Sequence, residues 1–113
     1  MRVPNIDVAV VSQSKILDYL LQLSHPIGGP KARFFLRFGF LREHWFELAN
    51  ALTEHARGND VVLTEETEYG TRYVVDGPLQ SPNGTVLNVR AAWYIDRDST
   101  TPRFVTAHPL PKL

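Results

Sequence analysis

The chain has no cysteine. That excludes disulfide staples, thiolate metal sites and a thiol nucleophile, and it agrees with a reducing compartment. It also lacks net charge. Twelve basic side chains balance twelve acidic ones, with a pI near 6.9. There is therefore no whole-molecule basic field to draw in nucleic acid indiscriminately, and any polyanion site must be local. No stretch approaches the roughly 20 apolar residues that span a bilayer. The opening "MRVPNIDVAV" lacks the apolar core of a secretory signal. These absences lead us to expect a cytoplasmic chain with no membrane partner. Repeats and low-complexity tracts are missing too. What remains is 113 residues, 43% hydrophobic and 21% charged, too apolar for disorder and sized for one domain over 1–113.

The periodicity changes once along the chain. "VSQSKILDYLLQL" carries Ile16, Leu17, Tyr19, Leu20 and Leu23 as a broad apolar stripe, with Ser12 or Ser14 as N-cap. A second helix is predicted from about Pro30 to the Gly39 stop, with Phe34, Phe35 and Phe38 facing the core. A third, over 41–58, puts Leu41, Trp45, Leu48, Leu52 and Ala56 on one face. After Gly58 come four β-branched and aromatic segments broken by turn signals, notably "SPNG" at 81–84. In the third segment Leu87, Val89, Ala91, Trp93 and Ile95 alternate with more polar residues, the pattern of an antiparallel strand covered on one side. The expectation is α+β: about three N-terminal helices packed on one face of a four-stranded antiparallel sheet. Phe35, Trp45, Val89 and Trp93 should be buried.

The candidate chemistry gathers around "SHPIGGPKARFF" at 24–35. Lys31 falls in the first turn of a helix, where a cation opposes the dipole. Gly28 and Gly29 before it let backbone approach a ligand, and free amides at a helix start can hold an anion that would offset that cost. A lysine that merely snorkels, its stem covering Phe35, is the alternative. His25 is of the right type for proton transfer near neutrality, or equally for closing the preceding helix. The strands add Arg72 and Tyr73 in "YGTRYVVDG" and Arg103, Thr106 and His108 in "PRFVTAHP". Guanidinium, hydroxyl and imidazole on adjacent strands can bind a phosphodiester, and they can equally be ordinary strand polarity. On the third helix His44, Glu47, Glu54 and His55 project to one side. Their spacing is not His-Glu-x-x-His, and a solvated face rather than a metal site is expected. No phosphate-binding loop, dinucleotide or nucleophile-elbow motif occurs.

Three blocks together carry a resemblance: "DYLLQLSHPIGGPKARFF", "YGTRYVVDGPLQSPNG" and "AAWYIDRDSTTPRFVTAHP". The chain resembles a small uncharacterised bacterial domain family with H-P-x-G-x-x-K-A-x-F-F, G-x-L-x-x-P-x-G and C-terminal V-T-A-x-P motifs. It is also similar to the wider superfamily of barnase, EndoU, colicin and RelE-like ribonuclease toxins. The resemblance implies a metal-independent endoribonuclease, the toxin of a toxin–antitoxin pair, with RNA as substrate, an antitoxin protein as partner and no cofactor. It implies His25, Lys31, Arg72, Tyr73 and Thr106 as catalytic residues. Gly28, Gly29, Arg103 and His108 would bind substrate, although His108 stands where an aromatic is expected. The alternative is a non-enzymatic module that recognises a partner protein or a small anion.

Overall fold

The computed structural model describes residues 1–111. Ser12 caps the first helix, its Oγ accepting from the Lys15 amide at 3.2 Å. This helix, α1 (Gln13–Lys15), runs straight into a π-helical segment (Ile16–Leu20) closed by Leu21 N–H to the Ile16 carbonyl. The wider turn brings Ile16, Leu20 and Leu21 into the interior together. An uninterrupted α-helix was expected over this stretch. α2 (Gly29–Arg37) stops at Gly39, whose φ of 101° only glycine adopts freely. α3 (Trp45–Gly58) follows a 3₁₀ turn (Arg42–His44).

Four strands complete the chain: β1 (Val61–Thr67), β2 (Gly70–Gln80), β3 (Val86–Asp96) and β4 (Arg103–Pro109). They pair antiparallel in the order β1-β2-β3-β4, a meander. This is the expected α+β arrangement, helices first and then one antiparallel sheet. The N-terminal segment ties the sheet's two edges together. The Val61 amide donates to the Met1 carbonyl, and Val10 forms an isolated parallel bridge with Arg103.

One core joins the layers. Leu87, Val89, Ala91 and Trp93 of β3 meet Ile16, Leu20, Phe35, Leu48 and Leu52 from the helices and Phe40 from the loop after α2. Phe35, Val89 and Trp93 are fully buried as expected. Trp45 is not: it lies half-buried against the core's rim, one residue past the 3₁₀ turn. Leu41 is also exposed, and Ile95 is only half-buried near the end of its strand. His55 departs further from expectation. At 100° per residue it lies about 20° from Leu48, so it joins the apolar side of α3 and is 3% exposed. Its Nε2–H donates to the Val89 carbonyl at 2.9 Å while Nδ1 has no partner.

Two outcomes follow from this packing. Trp93→Ala should cost about 3–5 kcal/mol, a large share of a small domain's stability, read as a lowered denaturant midpoint. Burial pushes the His55 imidazole below its ordinary value, against the smaller opposing effect of the Val89 carbonyl. The fold therefore holds His55 neutral. Its contribution is complete above the unfolded value near 6.5 and is lost as pH falls below that, at up to about 1.4 kcal/mol per pH unit. Melting curves from pH 7.5 to pH 5 should fall more steeply for the parent than for His55→Gln.

Candidate functional site

Lys31 projects from the first turn of α2 onto two hydroxyls. Its Nζ donates to Tyr19 Oη at 2.5 Å and to Thr106 Oγ1 at 2.9 Å, and the two oxygens are themselves 2.8 Å apart. The three side chains come from the π-helical segment, α2 and β4, up to 87 positions apart. The triangle is part-buried, and among the described residues no carboxylate lies within 4 Å of the ammonium. An ammonium has three donors. Two are used here, so one is left for an incoming anion. Lys15 adds a second cation, 5.3 Å from the centroid of the Tyr19 ring.

The electrostatics act on Tyr19. Burial pushes its phenol up, but the hydrogen bonds from Lys31 and Thr106 and the charges of Lys31 and Lys15 outweigh that. The group sits below its ordinary value near 10. If Thr106 donates its proton, Tyr19 Oη has two donors aimed at it, the arrangement that stabilises a phenolate.

His25 stacks edge-on against the same ring, 5.0 Å between centroids. Its Nδ1 accepts from the Ile27 and Gly28 amides at 3.0 and 2.9 Å. The ring proton therefore resides on Nε2. In that form His25 offers an N–H donor and has no lone pair available to act as a base. The two amides, expected to be free for an anion, are thus occupied, and the Gly29 amide is taken by the His25 carbonyl. Gly28 and Gly29 are buried for a different reason than expected. A Cβ on Gly28 would lie 2.3 Å from the Tyr19 carbonyl oxygen, and one on Gly29 would lie 2.7 Å from that of Leu23. The glycines let α2 start directly against the π-helical segment, which places Lys31 over Tyr19.

The remaining strand residues lie outside this cluster's hydrogen bonds. Arg72 pairs with Glu65 of β1 at 2.8 Å. In the sheet register it faces Tyr94, whereas Thr106 faces Ala92, two residues further along. Tyr73 is opposite Trp93 and packs against the core. Arg103 makes two hydrogen bonds to Asp96, at 2.9 and 3.1 Å, and lies over the Tyr94 ring. His108 shares Thr106's side of β4, as their spacing implies, and its Nδ1 lies 3.0 Å from the Pro109 carbonyl. Of the residues singled out in sequence, the structure brings His25, Lys31 and Thr106 together around Tyr19. Tyr19 and Lys15 were missed. Tyr19 reads as one more member of a Leu-rich stripe, and its one local signal is a lysine four positions earlier.

The chain belongs to the family described as a domain of unknown function, DUF6883, whose profile matches residues 2–111. No curated protein matches it. Among solved structures it is similar to a chain of a contact-dependent growth inhibition toxin–immunity protein complex from Klebsiella pneumoniae 342. The TM-score is 0.71 at 20% identity, covering 90% of this chain and 100% of that one. At that identity the likeness shows a shared fold.

Ultraviolet titration of tyrosinate, with Tyr19→Phe subtracted to isolate one of the four tyrosines, should show Tyr19 ionising below its ordinary value. Lys31→Met should move that midpoint upward, because it removes both a hydrogen bond and a charge from the phenol.

Proposed function

We propose that this domain is a metal-independent endoribonuclease that acts as a toxin and is held in check by a dedicated protein partner. The observation that carries the reading is the Lys31–Tyr19–Thr106 triangle: a part-buried ammonium with no carboxylate partner among the described residues and one donor to spare, against an acidified phenol. The fold shared with a chain of a toxin–immunity complex supports it, as does the resemblance noted in the sequence.

The chemistry needs no protein nucleophile. Tyr19, as phenolate, takes the proton from a ribose 2′-hydroxyl. The 2′ oxygen then attacks the adjacent phosphorus, and the bond from phosphorus to the 5′ oxygen breaks. The products are a 2′,3′-cyclic phosphate and a 5′-hydroxyl, whose proton comes from the Lys31 ammonium. Tyr19 is left as phenol and Lys31 as amine, and one transfer along their hydrogen bond restores the starting state. His25 Nε2–H donates to a phosphoryl oxygen as charge develops on it, while the Thr106 hydroxyl holds the Tyr19 oxygen in place. Arg72, Tyr73, Arg103 and His108 would serve only at the periphery of a longer substrate.

The test is to incubate purified protein with cellular RNA in the presence of a chelator. The parent should produce fragments with cyclic phosphate ends. Lys31→Ala and Tyr19→Phe should each lower the rate about a hundredfold or more while melting close to the parent. Intact RNA with the parent would remove the nuclease reading and leave the cluster as an anion-recognition site.

A further inference from the structure

The zero net charge of the chain conceals a strong partition. Residues 12–42 carry five cations, Lys15, Lys31, Arg33, Arg37 and Arg42, and a single acid, Asp18. Residues 43–113 carry six cations and ten acids. The excess is therefore four positive charges on the helical segment and four negative charges beyond it.

Ion pairing follows the same division, apart from Arg97, which donates to the Glu68 carbonyl. Arg2, Arg57, Arg72, Arg90 and Arg103 each meet a carboxylate: Asp60, Asp7 with Glu54, Glu65, Asp76 and Asp96 respectively. Among the described residues none of the five cations in 12–42 does so. Arg42 is used structurally, donating to the Leu17 and Leu21 carbonyls. Lys15 and Lys31 both lie against the Tyr19 ring. Arg33 and Arg37 are exposed, four residues apart on one face of α2, with about 5–6 Å between their Cβ atoms. Like charges with no carboxylate at ion-pair distance among the described residues are unfavourable in the free protein and are relieved by a polyanion.

We propose that Arg33 and Arg37 form a track for the phosphate backbone of single-stranded RNA on the far face of α2, about 200° and 240° round the helix from Lys31, holding phosphates beyond the one seated at Lys31. The track lies on the helix that carries Lys31, so a strand leaving the candidate catalytic cluster reaches it by passing round α2. Guanidinium groups match phosphate oxygens in geometry as well as charge. Recognition here is of backbone rather than base, because Arg33 and Arg37 are long, exposed and, among the described residues, without a carboxylate partner. The acidic excess beyond Arg42 disfavours binding of a polyanion to the rest of the chain. The inference rests on RNA being the substrate, but its test reads binding and not cleavage.

The probe is a fluorescein-labelled single-stranded oligoribonucleotide with 2′-O-methyl groups, which cannot be cut by its own 2′ oxygen. Anisotropy is followed over a range of salt concentrations. Arg33→Gln/Arg37→Gln should bind about tenfold more weakly and show a salt slope shallower by about 1.4, because two phosphates are no longer neutralised. Arg57→Gln/Arg90→Gln removes two arginines already held by acids, and should keep the parent's affinity and slope. Parent binding without cleavage of natural RNA would uphold the track while refuting the nuclease. Absence of parent binding overturns the track, as does an unchanged slope in the Arg33/Arg37 variant or an equal weakening in the control. The proposal is also overturned if an acidic protein alone binds this side.

Discussion

The close approach of α2 to the π-helical segment before it is the constraint on which the site depends. Gly28 lies so near the Tyr19 carbonyl that any side chain there would displace one of them. Around that contact the short loop closes on itself, with His25 accepting two backbone amides and its carbonyl accepting the Gly29 amide. Lys31 then extends across Tyr19 to β4. A cation at the start of a helix is unfavourable toward the dipole by roughly 0.3–1 kcal/mol. Two hydroxyl acceptors and an aromatic ring offset that cost here.

The same geometry redistributes the chemistry. The histidine first looks like the residue to move protons, but its acceptor nitrogen is committed to the backbone. The phenol, which looks like core, is the group whose acidity is altered. The cause is the lysine and the hydroxyl beside it, working against burial. Tyr19 packs against the buried apolar core, which keeps water from screening these contacts on that side.

The sheet supplies position rather than much of the chemistry. β4 is an edge strand, held on one side by β3 and at its start by Val10, and it presents Thr106 to the helices. The arginines of the sheet are tied to acids on their own or neighbouring strands. They stabilise the sheet's surface, and their charges are already committed to those partners.

From the sequence alone, the architecture was legible. Helical spacing up to Gly58 and alternation after it are local properties of the chain, and they determine element type and order and the burial of Phe35, Val89 and Trp93. Lys31 and His25 stood out because a proline–glycine turn and an ill-placed cation are also local signals. The π-helical widening was not legible, because it depends on which residues the sheet leaves room to bury. Nor was the burial of His55, whose partner is a backbone carbonyl 34 residues away. Tyr19 was hidden for a similar reason. Its hydroxyl acquires a role only when Lys31, 12 positions on, and Thr106, 87 positions on, arrive beside it. Which charges are free was also decided by the tertiary structure. Composition counts twelve cations and twelve acids, but only folding determines which of them neutralise one another and which face a partner.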